Sequence, residues 1–185
     1  MPATERTLLR RWRPEDLEPF AAINADPAVM EHFPATLTRG QSAASIDWIE
    51  AGIEERGWGL WALELPGEAP FIGFVGIQPA PDELPFAPAV EIGWRLAVPF
   101  WGRGLASEAA RAAMAFAFVD AGLERLVSFT ARTNRRSMRV MEGLGMTRDP
   151  GEDFENPRIA AGHRLRPHVL YRIDRAGWQS AAAER

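Results

Sequence analysis

Between Ala89 and Gly122 the apolar residues change their period once, and that change limits what the chain can fold into. Up to Pro99 they alternate: Val90, Ile92, Trp94, Leu96 and Val98 on one side, Glu91, Gly93, Arg95 and Ala97 on the other. A period of two is a strand. Pro99 has no N–H to give a ladder and ends it. From Leu105 the apolar stripe runs through Ala109, Ala112, Phe116, Val119 and Leu123 at helical spacing. The turn between strand and helix is Gly102-Arg103-Gly104-Leu105-Ala106-Ser107. Unpaired backbone N–H groups at a helix N-terminus form a ready anion site. Arg103, Gly104, Ala106 and Ser107 are therefore candidate anchors for a phosphate, mostly through main-chain amides. A tight connection with no ligand is the alternative. No Gly-Lys-Ser/Thr follows, which excludes a P-loop, and the third small residue is misplaced for a dinucleotide fingerprint.

With 185 residues the chain suits one domain, 1–185, with a core from about 6 to 175. No apolar run is long enough to span a bilayer, and the N-terminus lacks a signal-peptide stretch. Cysteine is absent, which excludes disulfides and a thiol nucleophile. Every basic residue is Arg, so lysine Schiff-base chemistry is excluded too. These features suggest a cytoplasmic protein that does not act at membranes. The net charge of −4 argues against general nucleic-acid binding and is compatible with a cationic amine substrate.

The remaining elements follow in order. Thr7–Trp12 reads as a strand, and Pro14-Glu15-Asp16 as a helix start. Residues 28–38 are irregular, a helix spans 41–56, and Gly57 closes it. Residues 58–65 and 71–78 form a hairpin, and 79–88, with four prolines, is a loop. Residues 126–131 read as a buried strand, 134–144 as a short helix ending at Gly145, and 168–174 as a last strand. The tail 179–185 is expected to be loose. This order predicts an α/β (α+β) fold, a mixed sheet with helices on both faces.

The run EIGWRLAVPFWGRGLASEAARAAMAFAF resembles the acetyl-CoA motif of the GNAT superfamily of N-acetyltransferases. It is most similar to the ribosomal-protein N-terminal acetyltransferase (RimJ/RimL-like) branch, through Trp101-Gly102-Arg103-Gly104-Leu105-Ala106 and the Glu108-Ala109 pair. The broader family pattern is Gln/Arg-x-x-Gly-x-Gly/Ala. Gly104 and Ala106 fit it, and Trp101 takes the Gln/Arg position. The resemblance implies the GNAT fold, a mixed, mostly antiparallel sheet whose central strand pair splays to admit the acyl arm. It also implies acetyl-CoA as co-substrate, no metal, and an amine acceptor, either a protein N-terminus or a small molecule. A homodimer stays open, as does a non-catalytic acyl-CoA-binding module of the same fold.

Acetyl transfer needs a polarised thioester carbonyl, an amine that loses a proton and a thiolate that gains one. For the carbonyl, the resemblance points to backbone groups of Leu96, Ala97 and Val98. Glu91, roughly 20 Å along the strand from Val98, matches the point where some members carry a catalytic glutamate. It is the candidate base, with a structural carboxylate paired to Arg95 as the alternative. The resemblance assigns Asn134 to the CoA arm and Ser137 to the sulfur. A helix cap and an ordinary first-turn serine are the alternatives. Many members use a Tyr on this helix as the proton donor; here that position is Met141, and the sole Tyr is Tyr171. His163 and His168 lack a ligand pattern.

Overall fold

A computed structural model describes residues 4–183; residues 1–3, at the start of the N-terminal stretch, and 184–185, at the end of the predicted loose tail, lie outside them. Eight strands form one sheet: β1 (Leu8–Arg10), β2 (Leu60–Leu65), β3 (Ala69–Pro79), β4 (Val90–Leu96), β5 (Arg125–Ala131), β6 (Thr147–Arg148), β7 (Phe154–Glu155) and β8 (Pro167–Asp174). Their order is β1-β2-β3-β4-β5-β8-β6, with β7 also on β8. Every pairing is antiparallel except β4 with β5. The mixed, mostly antiparallel sheet is as expected.

Helices α1 (Leu17–Ala25) and α2 (Arg39–Arg56) pack together, with α1 against β3. Helix α3 (Leu105–Val119) crosses β3 and β4, and α4 (Arg135–Gly143) joins it. An aromatic group of Trp12, Phe20 and Phe71 fills the α1 side, with centroids 4.9 and 5.3 Å from Trp12. Trp61 against Phe116 and Phe118 against Trp178 fill the α3 side. Because both faces are covered, residues 71–77 are buried without alternation.

Several boundaries differ from the sequence reading. The first strand shrinks to Leu8–Arg10 because Trp12 turns into the core and donates its indole N–H to Leu60 O at 2.8 Å. Pro14–Asp16 is a 3₁₀ turn preceding α1. Strand β4 stops at Leu96, and Val98 sits exposed in a 3₁₀ turn rather than in the row of Val90 and Ile92. The buried face of α3 is Leu105, Ala109, Ala110, Ala113, Met114, Ala117 and Phe118; Val119 is 65% exposed. The tail is ordered through Ala183 as α5 (Arg175–Ala183). Strands β6 and β7 are too short to carry a period and went unread.

Candidate active site

The site grows out of the one parallel joint in the sheet. Ala97 N donates to Ile72 O and Ala80 N to Ala89 O, both across the β3–β4 ladder. In an antiparallel ladder, alternate residues turn both backbone groups to the same neighbour. So Glu91, Gly93, Arg95 and Ala97 bond to β3, while Ile92, Trp94 and Leu96 turn their N–H and C=O toward β5. Strand β5 meets β4 at a single register point, Glu91 opposite Val127. Beyond it the strands part in a wedge, leaving the backbone of Trp94 and the N–H of Leu96 without a strand partner. The Leu96 carbonyl is taken by the indole N–H of Trp101 at 2.8 Å.

At the wide end of the wedge stands the glycine turn. Gly102 and Gly104 have φ of 71° and 78°, values that side-chain-bearing residues rarely adopt. Gly104 thereby starts α3 with no side-chain cap, so the first amides of the helix have no side-chain partner at the cap. Arg103 forms a two-pronged pair with Glu68 at 2.6 and 2.7 Å. Both side chains are largely exposed, and such solvated pairs exchange easily for another anion. Ala106 and Ser107 lie half-buried in the first turn of α3.

Strand β5, the parallel neighbour of β4, leads into α4. Asn134 caps α4: its Oδ1 accepts from Ser137 N at 3.2 Å. Its Nδ2 donates to Thr130 Oγ1 and to Ser137 Oγ, at 2.9 and 3.0 Å. The cap is therefore real, and it also orients Ser137. Since Ser137 Oγ accepts there, its own hydrogen stays available for donation. Arg136 stacks over Trp101 at 4.3 Å and pairs with Glu31 at 2.9 Å, tying the 26–38 segment to α4. Met141 is core, and Tyr171 is buried with its hydroxyl donated to Glu142. His168 is buried beside Asn156, and His163 Nδ1 accepts from Leu165 N.

Glu91 marks the vertex. Its neighbour across the ladder is Gln78, whose Nε2 donates to Glu91 Oε2 at 2.9 Å. Burial pushes the Glu91 carboxyl up to about 7, against the opposing pull of the Gln78 hydrogen bond and the charge of Arg158. The alternative pairing with Arg95 does not form. Arg95 Nη1 donates to Asn24 Oδ1 at 2.6 Å, and its guanidinium lies 4.3 Å from the ring centre of Phe33 and 5.4 Å from that of Phe74.

Thus Glu91, Trp94 and Leu96 lie along β4, the Gly102–Ser107 turn leads from the end of that strand into α3, and Asn134 and Ser137 start α4 after β5. Ala97 turns its amide away, to β3, and Val98 lies outside the strand. Sequence reasoning did not single out Gln78 or the backbone of Trp94, and it considered Arg95 only as a partner for Glu91. The register of the hairpin strand against EIGW was the signal for Gln78, but it needed the ladder across the proline loop. No cluster of three or more His, Asp or Glu of metal-binding arrangement occurs among the described residues.

A central strand that splays from its parallel neighbour and then feeds a glycine turn and helix defines an acyl-CoA-binding transferase fold. The chain belongs to the GNAT acetyltransferase family, whose acetyltransferase (GNAT) domain matches residues 6–147. It is an acetyl-CoA-dependent acetyltransferase, with acetyl-CoA as co-substrate. It is 31% identical over 169 residues to FsC-acetyl coenzyme A-N(2)-transacetylase of Aspergillus fumigatus, covering 84% of this chain and 68% of that protein. It is 29% identical over 144 residues to the uncharacterized YkkB of Bacillus subtilis, covering 77% of this chain and 83% of that one. A GNAT-family acetyltransferase from Bacillus anthracis superposes with a TM-score of 0.77 at 25% identity, over 94% of this chain and 97% of that chain.

Proposed function

We propose that this protein is an N-acetyltransferase that moves the acetyl group to a primary amine by direct attack, with Glu91 as general base and Ser137 as proton donor. The observation that carries the reading is the position of Glu91 at the vertex of the wedge, with a carboxyl poised near neutral pH. Acetyl-CoA, when bound, supplies the thioester. The amides of Gly104, Ala106 and Ser107 would hold its phosphates, and Arg103 would trade Glu68 for them. Trp94 and Leu96 offer backbone partners for the pantetheine arm, next to Asn134. Glu91 takes the ammonium proton, directly or through water. The amine nitrogen then forms its bond to the acyl carbon as the carbon–sulfur bond breaks; the departing sulfur takes the Ser137 hydroxyl proton, and the second proton shed by the acylated nitrogen restores that hydroxyl, directly or through water.

The motif around Trp101 supports a place in the RimJ/RimL-like branch, and with it a protein α-amine as one acceptor class. Small-molecule amines are the other. Helix α4 carries no Tyr, and Tyr171, on β8, is engaged by Glu142; both favour Ser137 as donor.

The test is thiol release from acetyl-CoA over an amine panel, across pH. A base acts deprotonated, so kcat/KM should climb with pH through about 7 and level off above it. Glu91→Gln should lower kcat at least 100-fold while acetyl-CoA binding persists. Full activity in that variant removes Glu91 from the chemistry. Binding of acetyl-CoA with no turnover of any amine would instead favour a non-catalytic acyl-CoA module.

A further inference from the structure

Arg95 is placed on the same face as Glu91 and is out of keeping with the other enclosed arginine. Arg10, also buried, is matched by Asp16 and Glu64 at 2.7 and 2.8 Å. Arg95 has no carboxylate within salt-bridge distance among the described residues; its one protein hydrogen bond goes to the neutral amide of Asn24. Nη1 makes that bond. Nε is buried with no partner at all. The unused Nε/Nη2 side of a guanidinium is one of its two-pronged edges, the kind a carboxylate accepts with both oxygens.

The surroundings suit a ligand there. Between Glu91 and Arg95 stands Gly93, and a Cβ built on it would meet nothing nearer than Glu91 Oε1 at 3.6 Å. No side chain therefore crowds the strand at Gly93, midway along the roughly 13 Å of backbone from Glu91 to Arg95. Two aromatic rings flank the charge, Phe33 and Phe74, and Phe33 is 40% exposed in the irregular 26–38 segment. The charge acting on Glu91 itself is that of Arg158, a second cation. A chain with net charge −4 thus places two cations, and only a carboxyl near its titration point, along this face. Such a face repels a polycation.

We propose that Arg95 is a specificity-determining residue and that the acceptor is a small amine carrying a carboxylate, whose two oxygens take the free edge of Arg95 while its amine faces Glu91. This rests on the transfer reading above. It narrows the acceptor away from polyamines, and from peptide N-termini that have no nearby acid. Fixing the carboxylate also orients the amine, which lowers the entropic part of the barrier.

The test compares matched acceptors with acetyl-CoA: glycine, β-alanine and 4-aminobutyrate, each against its own amide, with spermidine and a tripeptide amide alongside. For at least one spacing the acid should exceed its amide at least tenfold in kcat/KM. In Arg95→Met that ratio should fall to near one, chiefly through KM. Arg95→Lys, which keeps the charge but not the fork, should give an intermediate ratio and serves if the Met variant does not fold. Acid and amide within twofold of one another, faster turnover of spermidine or the tripeptide amide, or a ratio that persists in both variants overturns the proposal. No turnover of any amine by a protein that still binds acetyl-CoA overturns the transfer reading itself, and this proposal with it.

Discussion

Glu91 and Gln78 face each other across the β3–β4 ladder, and the bond between them should set the working pH. Gln78 donates to the ionised form and so favours it. Gln78→Leu removes that help, and the rising limb of kcat/KM should move to higher pH by roughly one unit. A limb that stays in place assigns the titration to another group. Arg10 illustrates a side chain whose role is structural. It is enclosed with Asp16 and Glu64, and Arg10→Met leaves Asp16 buried without its cation. That loss should lower unfolding free energy by about 3–5 kcal/mol in a denaturant titration. Glu91 was singled out in the sequence because it stands in an alternating strand, at the point where the family resemblance puts a glutamate. Its partner was not, since Gln78 lies across a proline loop whose register only the ladder sets.

Helices α3 and α4 start in two different ways, one on a glycine at positive φ and one on a side-chain cap. Helix α4 starts on Asn134, whose side chain both caps the helix and fixes Ser137. Asn134→Ala should destabilise by about 1 kcal/mol and slow thiol release as well. A variant that loses stability alone would demote Ser137 to a first-turn residue. Helix α3 starts on Gly104 at positive φ, and an added Cβ would meet only Arg6 Nη2 at 3.5 Å. The cost of Gly104→Ala is thus backbone strain rather than a clash, roughly 1–2 kcal/mol. Its clearest sign should be weaker acetyl-CoA binding in calorimetry as the turn reshapes. The stripe inferred for α3 was rotated from the buried face for a simple reason. Ala occupies positions all round this helix, and a small side chain carries little periodic signal. Strand β4 was easier, because Val, Ile, Trp and Leu alternate there with Glu, Gly and Arg.

The same burial that tunes Glu91 should be visible in the stability of the whole protein. Its folded carboxyl titrates near 7, above the ordinary carboxylate value of 4.5. Between those values the folded state binds the extra proton, so stability falls as pH rises through that window. Glu91→Gln removes the burden. The variant should match wild type near pH 4 and exceed it by on the order of 1–3 kcal/mol at pH 8, in urea titrations at both pH values. Equal stability at pH 8 would mean the carboxylate is well solvated when charged. Local chemistry carried by neighbouring residues was readable in advance: the switch from strand to helix, the glycine turn, the cap at Asn134 and the family these imply. Those features depend on backbone preferences and side chains a few positions apart, which the order of amino acids states directly. The angle at which β4 leaves β5, the turning of the Ala97 amide to β3 and the guanidinium of Arg95 without a counter-ion were not readable. They depend on which distant segments meet, and burial, the quantity that decides them, belongs to the assembled molecule rather than to any stretch of chain.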